Sequence, residues 1–291
     1  MEINFFKPED FESTDCPLCG AGERNIPLFH FNPFGVVRCS QCSLLYLSPR
    51  LKESAILRIY EEKGYYSSDG DSGYLSYADQ ERSLMLTFKR FLHYLLRKKL
   101  SGGDLLEVGC GFGYFLKEAQ GYFRRRIGID LSKEAIDKAS KVCDDVHQGP
   151  LETLPRSFGL FDTIVAINLI EHLYDPLQFL REAKRRLKKG GTVVLATPNA
   201  GSFWFYLMGR RWPSFKIPEH VTFFNFQSLS LLFLKAGCLK PITIPFPHAF
   251  PLSLVGEKLG IGVPSTLGSL AIWLPGTMIA LAAMEDGSNH E

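Results

Sequence analysis

The sequence predicts an α/β protein, in which a mostly parallel sheet is covered by helices on both faces and follows a small N-terminal module. Three observations predict this fold. Apolar runs typical of buried strands alternate with helical patterns from residue 102 onward, as in parallel sheets. A turn with three glycines follows the first of these runs. Two Cys-x-x-Cys pairs lie within residues 1–50.

The composition is that of a globular protein with one large and one small domain. The chain has 291 residues, of which 45% are hydrophobic and 22% charged. Domains usually span roughly 100–200 residues. The formal net charge of +2 at pH 7 predicts no broad attraction to nucleic acid. Residues 1–15 lack an apolar leader, so we expect a cytoplasmic protein with reduced cysteines.

The two cysteine pairs predict a structural zinc site. Cys16 and Cys19 form the first pair, Cys39 and Cys42 form the second, and 19 residues separate the pairs. Four thiolates suit the closed tetrahedral coordination of structural Zn²⁺. Chance turns or redox pairs are the alternative, but redox pairs seldom come doubled at this spacing. We therefore assign residues 1–50 to a zinc-ribbon-like module that needs metal to fold.

Residues 51–100 are predicted to form a helical linker and lid in two pieces. Apolar residues in the second piece recur at helical spacing and form one face for packing on the sheet. These residues are Leu84, Phe88, Phe91, Leu92 and Leu95. Tyrosines are dense around the break between the two pieces. They could close over a ligand or pack beneath a loop, and the sequence leaves both open.

Strands and helices then alternate through residues 101–291, which we assign to one domain. The predicted strands are 104–109, 126–130, 145–148, 161–167 and 191–197, and the predicted helices are 112–120, 132–141 and 176–188.

The glycine turn is the first candidate binding feature. Gly109, Gly111 and Gly113 allow a sharp turn and a close approach of the backbone to a ligand. Asp130 ends the next predicted strand, where a carboxylate can accept hydrogen bonds from both hydroxyls of a ribose. A cap or turn carboxylate is the alternative role for Asp130.

With the glycine turn, Asp130 and the stretch at 161–176 in place, residues 100–240 resemble a class I S-adenosylmethionine-dependent methyltransferase. With the cysteine pairs in front, the order is similar to bacterial methyltransferases of sugar, polysaccharide and polyketide pathways. The resemblance implies a Rossmann-like sheet of seven strands, with the sixth at 241–245 and the seventh at 277–283. NAD-binding domains use the spacing G-x-G-x-x-G, so hydride transfer is disfavoured.

The resemblance also implies a set of residues that bind S-adenosylmethionine. The glycine turn would line the methionine and ribose, Asp130 would hold the ribose hydroxyls and Asn168 would lie beneath the methionine. Many relatives bind the adenine amine with an aspartate, whereas this chain has Leu151 and Glu152 at that point. The implied set is Glu107, Gly109, Cys110, Gly111, Gly113, Asp130, Leu131, Leu151, Glu152 and Asn168.

Methyl transfer from a sulfonium needs an aligned acceptor and a base for the acceptor's proton. His172, just past the fourth strand, and His220, in a Pro-Glu-His segment, are the candidates, because imidazole titrates near neutrality. The alternative for His172 is packing at a helix start, and the alternative for His220 is a structural role in a loop. Some relatives hold Mg²⁺ with a Glu-x-x-Glu-His motif and a distant His. Because Asn168 occupies the first position here, we predict transfer without such a metal.

Two apolar segments complete the domain. Residues 246–275 are predicted to be an insert between the last two strands, which could meet a membrane or a lipid-linked acceptor or close the active site. Prolines and glycines interrupt it, which argues against a membrane-spanning helix. Residues 201–213 are rich in aromatic side chains and contain Arg210 and Arg211. They predict either a lid that clamps an acceptor phosphate or a packed surface helix.

The sequence therefore predicts methylation of a small-molecule acceptor at oxygen or carbon. The acceptor class is a sugar, nucleotide-sugar, polysaccharide or lipid-linked precursor. One alternative is an RNA methyltransferase that grips RNA with the zinc ribbon, which the near-neutral charge disfavours. The other is a non-catalytic scaffold that binds the cofactor. The acceptor and the oligomeric state are not indicated by the sequence.

Overall fold

The N-terminal part of the chain is rich in short strands. The computed structural model describes residues 6–22, 25–62, 80–259, 261–268 and 270–285. The strands are β1 (Phe11–Glu12), β2 (Ile26–Phe31), β3 (Phe34–Arg38), β4 (Leu45–Leu47) and β5 (Arg50–Leu51). β2, β3 and β4 pair in antiparallel order, and β1 pairs with β5.

Two helices connect this part to the main domain, namely α1 (Glu53–Glu62) and α2 (Glu81–Arg97). The tyrosine-rich break between the two predicted helical pieces falls at residues 63–79, outside the described residues.

Strands and helices alternate in the main domain, as predicted. The first half contains β6 (Asp104–Val108), α3 (Tyr114–Glu118), β7 (Arg125–Asp130), α4 (Lys133–Ala139), β8 (Asp145–Gln148), β9 (Phe161–Ile167), α5 (Pro176–Arg185) and β10 (Leu187–Pro198). The second half contains α6 (Phe203–Met208), β11 (Thr222–Phe223), α7 (Phe226–Lys235), β12 (Ile242–Ile244), β13 (Ala249–Pro251), α8 (Leu252–Leu259), α9 (Ser265–Gly268), β14 (Ala271–Trp273) and β15 (Met278–Met284).

Seven strands form the main sheet in the order β12-β15-β10-β9-β6-β7-β8. β15 runs antiparallel to both of its neighbours, and the other pairs are parallel. Side chains of one face pack with α5 and α7, and those of the other face pack with α2, α3 and α4. The predicted Rossmann-like, mostly parallel sheet of seven strands with helices on both faces is therefore confirmed.

Helix α2 packs with the apolar face that its sequence predicts. The buried side chains include all five predicted ones, Leu84, Phe88, Phe91, Leu92 and Leu95. Phe88 and Phe91 contact the ring of Phe115 in α3, with centroids 5.6 and 6.2 Å away.

The fifth strand of the domain begins earlier than predicted. Leu187 pairs with Phe161, and a register shift separates this pair from the regular pairing that starts at Thr192. The shift coincides with Gly190, whose φ of 74° is favourable for glycine. The predicted helix 176–188 accordingly ends at Arg185.

The insert at 246–275 contains four short elements, β13, α8, α9 and β14, and β13 pairs with β14 in antiparallel orientation. Among the described residues, we find no helix with the length and apolar character needed to cross a membrane.

One strand of the main domain extends the N-terminal sheet. Thr222 and Phe223 of β11 pair with Tyr46 and Leu45 of β4. The backbone N–H of Leu47 donates to the carbonyl oxygen of Val221 at 3.0 Å. Side chains of the cysteine-bearing segment also belong to the same buried cluster as those of β6 and β9. The N-terminal sheet is thus completed by a segment that lies far away in the sequence.

Candidate active site

The turn after β6 is tied to the start of α4 by one carboxylate. Gly109, Gly111 and Gly113 have φ of 72°, 51° and 77°, in the left-handed region that favours glycine. The N–H of Gly111 donates to Asp130 Oδ2 and the N–H of Ser132 donates to Asp130 Oδ1, both at 2.9 Å. Asp130 therefore fixes the position of the glycine turn directly.

Glu107, in β6, is buried beside this turn. Its Oε2 atom has no hydrogen-bond partner within the described part of the chain. Burial, and secondarily the nearby Asp130 carboxylate, raise the pKa of Glu107 well above its usual value. A buried polar atom without a protein partner is rare and is typical of a position that a ligand occupies. Together with the open glycine turn, it makes this edge of the sheet suitable for a polar cofactor.

The adjacent Cys110 contributes its backbone rather than its thiol. Its side chain is buried, and a Cβ added at Gly128 would lie 2.8 Å from its sulfur. Burial raises the pKa of the Cys110 thiol well above the usual value, so the group stays protonated. The thiol therefore faces β7 and leaves the backbone of the turn towards the cleft.

The other predicted cofactor residues lie after β7, β8 and β9. Leu131 follows Asp130 and is exposed. Leu151 is buried, whereas Glu152 beside it is exposed. Asn168 directly follows β9 with a φ of 52°, is exposed, and donates its N–H to the carbonyl oxygen of Ala196 at 2.8 Å. These residues follow the carboxyl ends of parallel strands, where open α/β sheets bind ligands.

A second polar cluster follows Asn168 along the chain. Glu171, His172 and His220 place one ligand-type atom each within 4.8 Å of one another. The two imidazole rings meet edge to face, with centroids 4.5 Å apart and an angle of 78° between their planes. The structure thus brings together the two histidines that the sequence singled out separately, and adds a carboxylate to them.

Glu171 is held from two sides. Thr197 Oγ1 in β10 donates to Glu171 Oε2 at 2.9 Å, and the N–H of Val221 donates to the Glu171 carbonyl oxygen at 2.9 Å. The second carboxylate oxygen, Oε1, is buried without a partner in the described chain. Burial raises the pKa of Glu171 to about 7, despite the hydrogen bonds that favour the carboxylate.

The pKa values of the two histidines differ from the near-neutral values that the sequence predicts. Burial lowers the pKa of His172 to about 3 and lowers the pKa of His220 well below its usual value. The Ser214 backbone partly offsets this lowering of the His220 pKa. His220 Nδ1 is buried without a hydrogen-bond partner among the described residues. In this cluster the group that titrates near neutrality is Glu171.

Sequence reasoning missed three residues that bear on the electrostatics of this cluster. The Lys216 ammonium contributes to lowering the pKa values of His172, His220 and His248. His248, in the insert, is half-buried, and its Nδ1 atom is buried without a partner in the described chain. Burial also raises the pKa of Glu219. One signal was available, because His248 is an isolated polar residue in an apolar segment.

The four paired cysteines converge as zinc ligands would. Their sulfurs lie within 4.8 Å of one another, and the Cys16–Cys42 and Cys19–Cys39 pairs are each 3.4 Å apart. Tetrahedral Zn²⁺ with sulfur ligands at about 2.3 Å would separate the sulfurs by about 3.8 Å. The donor set therefore fits a closed zinc site. The expectation that the histidine cluster works without a metal stays a prediction.

The sheet order and the cleft can now be compared with known proteins. A family described as "Methyltransferase domain" matches residues 77–239. The chain is a member of this methyltransferase family. With its sheet order and glycine turn, it is of the class I S-adenosylmethionine-dependent type.

Relatives of the chain are also named as methyltransferases. A Mycolicibacterium smegmatis protein named probable S-adenosylmethionine-dependent methyltransferase is 34% identical over 167 residues, which are 57% of this chain and 63% of that protein. A Mycobacterium tuberculosis protein with the same kind of name is 32% identical over 146 residues, which are 49% of this chain and 51% of that protein. The chain thus spans between half and two thirds of these relatives.

Among solved structures, the methyltransferase is similar in fold to magnesium protoporphyrin IX methyltransferase from Synechocystis with bound SAH. The TM-score is 0.52 at 13% identity, and the match covers 80% of this chain and 100% of the other. At this identity the likeness shows the fold alone.

Proposed function

We propose that the protein transfers a methyl group from S-adenosylmethionine to a small polyhydroxylated acceptor, such as a sugar, a nucleotide-sugar, a polysaccharide or a lipid-linked precursor. The observation that carries this proposal is the largely buried cluster of Glu171, His172 and His220. It follows the end of β9, next to the strand that leads into the glycine turn. This position supports a proton acceptor at the same edge of the sheet as the candidate cofactor site.

The cofactor supplies a methyl group on a sulfonium, which is already activated for displacement. The protein's part is to hold the cofactor and to orient it. Asp130 would accept the ribose hydroxyls, because its two oxygens, each already bonded to a backbone N–H, are fixed in place. Glu107 would bond the cofactor through the oxygen that has no partner among the described residues. The glycine turn would let the backbone approach closely.

The acceptor's proton would pass to the histidine cluster. Nδ1 of His220 has no partner among the described residues, so in the tautomer protonated at Nε2 it would accept this proton. As the acceptor oxygen or carbon attacks the methyl group, the proton that it loses would convert His220 to an imidazolium. Glu171, fixed by Thr197, would stabilise that cation from within the cluster.

The unpartnered polar atoms around the cluster support a polyhydroxylated acceptor. Within the described chain, His220 Nδ1, Glu171 Oε1, Glu219 Oε2 and His248 Nδ1 are buried and lack hydrogen-bond partners. Carboxylate oxygens accept hydrogen bonds from hydroxyls, and a neutral imidazole nitrogen can accept or donate them. An acceptor with several hydroxyl groups would satisfy these atoms at once.

The function is tested by incubating the purified protein and isotopically labelled S-adenosylmethionine with an extract of the source cells. We expect the label in one low-mass product, identified by mass spectrometry. Label in the RNA fraction would instead favour the RNA methyltransferase alternative. Cofactor binding in a calorimeter without any labelled product would favour the non-catalytic scaffold.

With the acceptor found in this way, a His220→Gln substitution is expected to lower kcat about 100-fold or more, because the proton acceptor is lost. The affinity for S-adenosylmethionine, measured by calorimetry, should stay within about threefold. His93→Gln on α2 is the matched control, since His93 is exposed and lies outside the cluster. If the control and His220→Gln gave equal rates, His220 would not be the base.

Methyl transfer is also expected to depend on pH through Glu171. The Glu171 carboxylate predominates only above its pKa of about 7, so kcat/KM should rise with pH through this value and then level off. His172 and His220 stay neutral over this range, because their pKa values are lowered. Glu171→Gln should give a slower enzyme without this rise. A wild-type profile that is flat between about pH 6 and 8 would contradict the role of Glu171.

We also propose that the four cysteines hold one structural zinc ion. The convergence of their sulfurs within 4.8 Å supports this assignment. The knuckles around them are tied by backbone bonds, from Gly20 N–H to Cys16 O at 2.8 Å and from Ser43 N–H to Cys39 O at 3.1 Å. Zinc would lock together the segments that lead into β4, and β4 in turn holds β11.

A further inference from the structure

Helix α6 presents a concentrated apolar surface. Phe203, Tyr206 and Leu207 are 70%, 69% and 64% exposed. Their spacing places them on one side of the helix. Single exposed apolar residues are common, but three large ones within five positions are not. On the other side of α6, Phe205 is buried and its ring packs edge to face on Trp212 at 5.3 Å.

The end of the insert contacts the same helix. The indole N–H of Trp204 in α6 donates to the carbonyl oxygen of Pro275 at 2.8 Å. Three large apolar side chains of the insert are also exposed, namely Ile261, Leu267 and Leu270. We call Phe203, Tyr206 and Leu207 the α6 face.

The charged residues that flank α6 in the sequence, within 199–218, are all positive. Residues 199–218 contain Arg210, Arg211 and Lys216 and no acidic residue. Arg210 and Arg211 follow α6 directly and are exposed. The first acidic residue after this stretch is Glu219.

We propose that the α6 face docks on the surface of a lipid bilayer that contains anionic lipids. Aromatic and aliphatic side chains enter the boundary between headgroups and acyl chains, while neighbouring arginines bind headgroup phosphates. This pairing of exposed apolar side chains with cations and without acids matches an anionic bilayer.

Docking through the α6 face would also affect where the candidate acceptor cluster lies. α6 begins shortly after β10 ends, and the chain after it leads through Arg210 and Arg211 to Lys216 and His220. Docking would therefore hold the acceptor cluster near the bilayer, where a lipid-linked acceptor resides. This last step depends on the proposed methyl transfer, whereas bilayer binding does not.

The test is co-sedimentation of the full chain with vesicles of phosphatidylcholine, either alone or mixed with phosphatidylglycerol. We expect binding to the mixed vesicles, at least about tenfold weaker binding to phosphatidylcholine alone, and weakening by salt. The triple variant Phe203→Ser, Tyr206→Ser, Leu207→Ser and the double variant Arg210→Glu, Arg211→Glu should each lose about tenfold or more.

A matched control replaces three exposed leucines outside the α6 face, as Leu96→Ser, Leu234→Ser and Leu239→Ser, and should bind vesicles like the wild type. Calorimetric binding of S-adenosylmethionine reports whether each variant is folded. If the wild type does not bind the mixed vesicles, or if a folded α6-face variant binds them as the wild type does, the proposal is overturned. Neither outcome would affect the proposed methyl transfer.

Discussion

A Cys16→Ser substitution is expected to remove the bound zinc and to lower methyl transfer by about 100-fold or more, while cofactor affinity changes by less than about threefold. The reason lies in the pairing of β4 with β11. β11 begins two residues after His220, and the N–H of Val221 between them donates to the Glu171 carbonyl oxygen. Without metal, β4 loses its anchor, and the acceptor cluster loses its alignment. The candidate cofactor residues follow β6 and β7, so cofactor binding should survive.

Metal content, transfer rate and cofactor binding are measured on the same preparation, with Cys143→Ser as the control. Cys143 is half-buried and lies outside the four-cysteine cluster. Hydrogen exchange provides a second readout, because chelation should speed exchange at residues 45–47 and 221–223 together. A Cys16→Ser protein that retained one zinc per chain would refute the metal site. Loss of zinc with wild-type transfer would refute the link to His220.

An Asp130→Asn substitution is expected to weaken S-adenosylmethionine binding by about 100-fold. The carboxylate accepts the N–H groups of Gly111 and Ser132, one on each oxygen. An amide would turn one acceptor into a donor that faces an N–H. Losing charge-assisted hydrogen bonds to the turn and to the ribose costs roughly 1.5–3 kcal/mol, and 1.4 kcal/mol corresponds to tenfold in affinity.

Calorimetry on the variant measures this effect directly, and thermal unfolding without ligand shows whether the turn itself has been lost. Asp137→Asn is the control, because Asp137 lies on the exposed side of α4 and pairs with Lys133 at the surface. Affinity within threefold of the wild type for Asp130→Asn would remove Asp130 from the cofactor site.

The main sheet could be predicted because its signals are local. Each strand is an apolar run, and the glycine turn and Asp130 mark where two of the strands end. The apolar face of α2 was predicted for the same reason, since its period is visible within a single segment. Features that depend only on neighbouring residues in the chain are accessible from one sequence.

The remaining features depend on contacts between distant residues. β11 has two residues, which is too short for a strand pattern, and it exists because β4 offers an edge. The low pKa values of His172 and His220 follow from burial, which the sequence does not display. The partly buried position of His248 depends on how the insert packs, which the sequence does not display either. The two histidines of the candidate acceptor site could therefore be predicted, whereas their burial and their pairing with distant segments could not.

The pairing of β4 with β11 also sets an order of assembly. Tyr46 meets Thr222, which lies 176 residues later in the chain, so this edge of β4 stays unpaired until β11 has been synthesised. An open strand edge invites pairing with other chains. The N-terminal sheet is thus completed only after a much later segment of the chain has been synthesised.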